Sequence, residues 1–280
     1  METANNTGVF SIMKSIAKKF LQDEAVGLAA QLAYFFLLSL FPFLIFLMTL
    51  VGYLPISGEL IMDFISEFAP GETKTLIQEN TEAILSSQNG KLLSVGLIGT
   101  IWSASNAINA LIRALNRSYH VGESRNFFIA RGLAILLTFG MIVVIIVALA
   151  LPVFGEKIGL MVFAYFGLSE GFLRVWEVVR WGLSFFVLFI VFGSLYFFAP
   201  NKHLHWKSVI PGAIVATAGW LLSSLLFSYY VSSFGNFSAS YGSLGGIIVL
   251  MIWFYLSGMV IILGGEVNAV LTNRKEGIID

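Results

Sequence analysis

The sequence predicts an all-α, polytopic membrane protein with six transmembrane helices and amphipathic helices on the extracytoplasmic side. Hydrophobic residues make up 58% of the chain and charged residues only 11%, and the mean hydropathy of +0.87 lies far from that of soluble domains. Residues 208–265 contain no Asp, Glu, Lys or Arg. Because a charge at the centre of a bilayer is costly, so long a charge-free stretch indicates membrane-spanning helices.

Six apolar segments are long enough to cross a hydrocarbon core about 30 Å thick, which takes about 20 helical residues. They lie in one integral membrane domain of residues 1–280, at about 26–54, 92–115, 131–154, 179–200, 208–231 and 244–271. We expect helices throughout, because nothing resembles the short alternating segments of a lipid-facing barrel. Eleven of the 16 Lys and Arg residues then fall on the side of the two termini, which predicts that both termini are cytoplasmic.

The segment 56–90 carries two amphipathic helical patterns separated by Pro70 and Gly71. Its polar faces are mostly acidic. We predict two helices on the outer surface of the bundle, which either cover the bundle or contact a substrate.

Polar residues recur on one face of the second predicted span, at Asn106, Asn109, Arg113 and Asn116. Such residues are costly in hydrocarbon unless they face protein or water, so this face is either an interhelical hydrogen-bond seam or one wall of a hydrated cavity. Small residues recur on another face, between positions 96 and 114. They predict close helix packing, within one subunit or between two.

Glu266 ends the charge-free stretch at the cytoplasmic depth of Arg113, and Gln31 and Tyr34 enter the first span at the same depth. A carboxylate at that depth requires a cation, and Arg113 or Arg117 is the predicted partner. The predicted polar cluster consists of Gln31, Asn109, Arg113 and Glu266. The alternative is that Glu266 reaches the water interface.

The segment between the fifth and sixth predicted spans, residues 232–243, is polar but uncharged and rich in Gly and Ser. It is either a re-entrant element that dips toward a cavity or an ordinary outer turn. Its gate candidates are Asn236, Tyr241, Gly242 and Ser243.

The composition argues against an enzyme. The chain has no cysteine, which excludes thiolate metal sites and a cysteine nucleophile. Its three histidines, His120, His203 and His205, have no acid at a recognisable metal-ligand spacing. The net charge is zero, so no basic surface for nucleic acid is expected. We expect no catalytic residue, no metal, no cofactor and no nucleic-acid partner.

Several blocks occur in an order that resembles the YihY/BrkB family of bacterial inner-membrane proteins, once called ribonuclease BN. The blocks are residues 29–34 (AAQLAY), 38–42 (LSLFP), 102–105 (WSAS), 113–117 (RALNR), 200–201 (PN) with Trp206, 211–213 (PGA), 241–245 (YGSLG) and 264–269 (GGEVNA). The resemblance implies a six-span protein of the bacterial cytoplasmic membrane. It also implies a role in envelope processes such as the transport of lipids or lipopolysaccharide precursors.

Two functions follow from these observations. The first is a transporter or flippase of an amphiphilic or lipid-linked envelope molecule, with membrane lipids and that substrate as partners. Its predicted pathway residues are Gln31, Tyr34, Asn106, Asn109, Arg113, Asn116 and Glu266. The second is a non-transporting scaffold of envelope machinery. The sequence leaves the substrate, the coupling ion and the oligomeric state open.

Overall fold

The computed structural model describes residues 8–51, 53, 89–142, 170–234 and 244–277. Over these residues the chain forms seven α-helices and no strand, which confirms the predicted all-α fold of a membrane protein. The helices are α1 (Val9–Gln22), α2 (Ala25–Val51), α3 (Gly90–Ser118), α4 (Phe127–Ile142), α5 (Glu170–Phe198), α6 (Trp206–Phe234) and α7 (Gly245–Lys275).

Four helices of the described ranges are long and apolar enough to cross a membrane. They are α3, α7, the Ala25–Leu47 part of α2 and the Trp206–Ser233 part of α6. They correspond to the first, second, fifth and sixth predicted spans. The third predicted span falls on Phe127–Ile142, and its residues 143–154 lie outside the described residues. The fourth falls on the apolar Gly182–Phe198 part of α5, so the count of six spans stays a prediction.

Two predicted features cannot be compared with the fold. The amphipathic segment predicted at 56–90 lies outside the described residues as far as residue 88, and residues 235–243 of the uncharged hairpin also lie outside them.

Side chains and turns define several helix ends. The Oδ1 atoms of Asn89 and Asn126 accept backbone N–H groups of the first turns of α3 and α4, as N-cap residues do. α3 ends in a Schellman turn, in which the N–H of Val121 bonds to the carbonyl of Asn116. His120 occupies the left-handed position of this turn, with φ 53°, where glycine is the usual residue.

The chain forms two compact units, Met1–Tyr34 with Ser105–Asp280 (unit 1) and Phe35–Ala104 (unit 2). In unit 1, α6 packs along both α5 and α7, and α1 packs on α7. α2 and α3 each contribute to both units.

In unit 2, small residues of α3 allow α2 to come close. A Cβ atom added to Gly96 would stand 2.8 Å from the backbone nitrogen of Phe46, and one added to Gly99 would stand 3.1 Å from Cβ of Pro42. From Gly96 to Gly99 the residue numbers increase along α3, while those of the contacted residues on α2 decrease from Phe46 to Pro42. The two helices therefore run antiparallel. These contacts use the predicted small-residue face and lie within one chain.

Candidate functional site

Side chains of α1, α3 and α7, and of the residues just after α1 and α3, form an ionic cluster that is buried except at His120. Lys19 Nζ donates to Asp23 Oδ2 at 2.7 Å and lies 3.8 Å from Glu266 Oε2. Ser118 Oγ donates to Glu266 Oε1 at 2.7 Å, and Lys19 Nζ lies 3.0 Å from His120 Nε2. We call Lys19, Asp23, Ser118, His120 and Glu266 the ionic cluster.

Burial makes the ionic cluster sensitive to the loss of any charge. Lys19 is 6% exposed, Asp23 5% and Glu266 0%. Buried charges are tolerated when they are paired and hydrogen-bonded. One ammonium group therefore compensates two carboxylates, while Ser118 supplies a further donor to Glu266.

A second network joins the turn after α3 to the turn before α6. The Asn116 side chain donates to Glu123 Oε2 at 3.0 Å and accepts the backbone N–H of Asn201 at 2.6 Å. Arg125 donates two hydrogen bonds to Glu123, which hold the pKa of that carboxyl below its usual value. The network therefore links the connection between α3 and α4 to the connection between α5 and α6, within unit 1.

α6 and α7 come close together where Asn268 contacts the backbone of α6. Its side chain accepts the N–H of Gly212 at 2.7 Å and donates to the carbonyl of Val209 at 3.1 Å. Pro211 lies inside α6 and carries no N–H, so it cannot complete the helical hydrogen-bond pattern. Asn268 thus hydrogen-bonds two backbone groups of α6 that lie on either side of the proline.

A polar face lies where α2 begins and α3 ends, within unit 1. Glu24 precedes α2 and pairs with Arg117 near the end of α3, with 3.1 Å between Oε2 and Nη1. Because α2 and α3 run antiparallel, Gln31, two turns beyond Glu24, comes level with Ala110. Arg113 lies one turn from Arg117 on the same side of α3.

We call Gln31, Tyr34, Asn106, Asn109 and Arg113 the polar face. Gln31 and Arg113 are exposed and Tyr34 is 58% exposed. Asn106 and Asn109 are half-buried, and Asn106 Oδ1 accepts Arg131 Nη1 at 2.7 Å. No hydrogen bond or ion pair engages the side chains of Gln31 and Arg113 in the part of the chain that the structure describes.

The predicted cluster of Gln31, Asn109, Arg113 and Glu266 is wrong. Glu266 is fully buried and pairs with Lys19, whereas Gln31 and Arg113 are exposed. The physical reason is that α1 packs on α7 and brings its own lysine to the carboxylate. The alternative, that Glu266 reaches water, is wrong for the same reason.

The other candidates have separate outcomes. Asn116 is buried in the turn network and is not part of the polar face. A role of the polar face in a substrate pathway stays a prediction. The gate candidates Asn236, Tyr241, Gly242 and Ser243 lie outside the described residues.

Sequence reasoning missed Lys19, Asp23, Ser118 and Asn268. Lys19 and Asp23 stand four residues apart, a spacing that places oppositely charged side chains on one helical face. That spacing could have indicated an ion pair, but nothing in the sequence shows that the pair is buried. Among the described residues, no group of three or more His, Cys, Asp or Glu side chains is placed to bind a metal ion.

Comparison with known proteins identifies the family. The family described as virulence factor BrkB matches residues 16–278. The chain belongs to the BrkB family. The resemblance predicted from the sequence blocks is therefore confirmed, and the protein is a membrane protein with several apolar helices. No solved structure matches it.

Three similar proteins cover between 78% and 95% of the chain. A protein of Bacillus subtilis (strain 168), named as the ribonuclease-like protein YfkH, is 52% identical over 266 residues, which are 95% of this chain and 97% of the relative. A UPF0761 membrane protein of Aliivibrio salmonicida (strain LFI1238) is 27% identical over 95% of this chain and 84% of its own length. A UPF0761 membrane protein of Vibrio cholerae serotype O1 (strain M66-2) is 30% identical over 222 residues, which are 78% of this chain and 71% of the relative.

Proposed function

We propose that this protein moves an amphiphilic or lipid-linked molecule of the cell envelope across the bacterial cytoplasmic membrane, as a transporter or flippase. The observation that carries the proposal is the exposed guanidinium group of Arg113 on a membrane helix. Ionisable residues within membrane helices are rare, and they mark substrate or ion pathways. Arg113 has five N–H donors and no acceptor among the described residues.

The neighbours of Arg113 suit the polar part of an amphiphile. Gln31 and Asn109 add neutral donors and acceptors to the polar face, and Tyr34 adds a hydroxyl on an exposed aromatic side chain. An arginine binds phosphate or carboxylate through two parallel hydrogen bonds. The head group would contact the polar face, while the hydrocarbon chains stay in the lipid.

We further propose that both termini are cytoplasmic. The support is the distribution of Lys and Arg, of which 11 among 16 fall on that side in the six-span arrangement. The ionic cluster and the polar face then lie toward the cytoplasm, because both adjoin the start of α2 and the end of α3. Labelling of a His203→Cys variant by an impermeant maleimide in intact cells would contradict this orientation.

Replacement of Arg113 tests the proposed function. Purified protein is reconstituted into vesicles that contain NBD-labelled phosphatidylglycerol, and dithionite reports the rate at which the label crosses the bilayer. We expect faster crossing than in protein-free vesicles, and a roughly tenfold lower rate for Arg113→Gln, since a hydrogen bond to a charged group contributes about 1.5–3 kcal/mol. Lys275→Gln, an exposed cation at the end of α7, is the matched control and should leave the rate unchanged.

The alternative function is a scaffold without transport. It predicts that wild-type vesicles and protein-free vesicles move the labelled lipid at the same rate. It also predicts that Arg113→Gln and Lys275→Gln have the same effect. Either result, with folded protein confirmed by gel filtration, would count against transport of this lipid class.

A further inference from the structure

Helix α1 has two different faces. Its outward face consists of Phe10, Met13, Lys14, Ala17, Lys18 and Leu21, which recur every three or four residues and are all exposed. Three of them are large and apolar, with exposed fractions of 82% for Phe10, 63% for Met13 and 71% for Leu21. A helix exposed only to water would not turn its largest apolar side chains outward.

The inward face of α1 makes polar contacts with α7. Arg274 Nη2 of α7 donates to Ser11 Oγ at 2.9 Å and to Ser15 Oγ at 3.0 Å. One turn further, Lys19 enters the ionic cluster. Phe10, Met13 and Leu21 stay on the outside, while the apolar residues Ile12, Ile16 and Phe20 are half-buried.

The chain holds α1 at the end of a membrane helix. Only Asp23 and Glu24 separate α1 from α2, and Ala25–Leu47 is apolar enough to span the bilayer. The last turn of α1 must then lie close to the depth at which α2 enters the membrane. This is the layer of lipid head groups, where amphipathic helices lie with their apolar residues below the phosphates.

The positive charge of the outward face favours lipids with anionic head groups. Lys14 and Lys18 point outward, and α1 contains no acidic residue. Anionic head groups attract such lysines, and long lysine side chains can reach the phosphates while apolar neighbours lie deeper.

We propose that the outward face of α1 binds the surface of an anionic phospholipid bilayer. Phe10, Met13 and Leu21 insert below the phosphates, and Lys14 and Lys18 bind anionic head groups. The Lys19 pair with Asp23 and Glu266 orients the helix so that this face meets the lipid. The inference is independent of transport, because it rests on α1 and not on the polar face.

The absence of cysteine from the chain permits a direct test with a nitroxide attached at Met13→Cys in the full-length protein. The protein is reconstituted into vesicles of phosphatidylcholine with phosphatidylglycerol, and into pure phosphatidylcholine. Spin-label collision rates with oxygen and with a water-soluble nickel complex give the depth of the label. We expect oxygen collisions to dominate in the anionic vesicles and nickel collisions to increase in the neutral ones.

The paired substitution Lys14→Gln/Lys18→Gln should remove the difference between the two vesicle types, since two lysines near an anionic surface contribute roughly thirtyfold to binding. Lys275→Gln should not remove it. A label that stays accessible to nickel in anionic vesicles would overturn the proposal. Protection from nickel that is the same in detergent as in vesicles, and that increases with protein concentration, would also overturn the proposal. It would indicate that a second copy of the chain covers this face.

Discussion

Replacing Lys19 with methionine is expected to lower the thermal unfolding midpoint of the purified protein by roughly 10 °C. Methionine keeps most of the side-chain volume and removes the ammonium group. Asp23 and Glu266, both buried, then face each other without the cation that lies 2.7 Å and 3.8 Å from their oxygens. Breaking a buried ion pair by removing one partner costs about 3–5 kcal/mol.

Two variants separate this electrostatic effect from a loss of packing. Lys18→Met changes the neighbouring lysine, which is exposed, and should leave the unfolding midpoint close to that of wild type. Adding Glu266→Gln to Lys19→Met removes one of the two unpaired carboxylates, while the amide still accepts the Ser118 hydroxyl. The double variant should therefore be more stable than Lys19→Met. If Lys19→Met and wild type have the same unfolding midpoint, the ionic cluster does not stabilise the fold.

Gly212→Ala is expected to disrupt the packing of α6 on α7. The added Cβ atom would overlap the carbonyl oxygen of Gly264 and the side chain of Asn268. A backbone carbonyl cannot rotate away, and Asn268 is fixed by its hydrogen bonds to the backbone of α6. Overpacking of this kind costs about 1–3 kcal/mol, and more where backbone must move. We expect a fall of several degrees in the unfolding midpoint and less folded protein by gel filtration.

Gly182→Ala is the matched control for this substitution. Gly182 lies in α5, and a Cβ atom added there would meet nothing within 4 Å. Because alanine is a better helix former than glycine, this change should be neutral or slightly stabilising. Equal unfolding midpoints for Gly212→Ala and wild type would contradict the described contact between the helices.

The apolar pattern of the sequence predicted the membrane helices and one of their close contacts. Long charge-free stretches predicted helices that can cross a membrane, and the small residues near Gly96 predicted the close approach of another helix. The need of Glu266 for a cation was also predictable, because a carboxylate in that position has few other means of stabilisation.

The partner of Glu266 was not predictable, because it comes from 247 positions earlier in the chain. In the sequence, residues 1–22 are a polar segment with three lysines, and nothing there distinguishes one lysine from another. Only the packing of α1 on α7 separates Lys19, which turns inward, from Lys14 and Lys18, which turn outward. Asn268 is likewise a single polar residue in an apolar helix, and the sequence does not show that the backbone of Gly212 and Val209 lies opposite it.

The most direct test of the proposed function is to block the polar face. Gln31→Cys introduces a single thiol on the polar face, and a bulky water-soluble maleimide modifies it in reconstituted vesicles. Val178→Cys, at a position 73% exposed on α5, is modified in parallel. We predict that modification at Gln31→Cys lowers the rate of NBD-labelled phosphatidylglycerol crossing to that of protein-free vesicles, while modification at Val178→Cys leaves it unchanged. Full modification at Gln31→Cys with an unchanged rate would contradict a substrate pathway along the polar face.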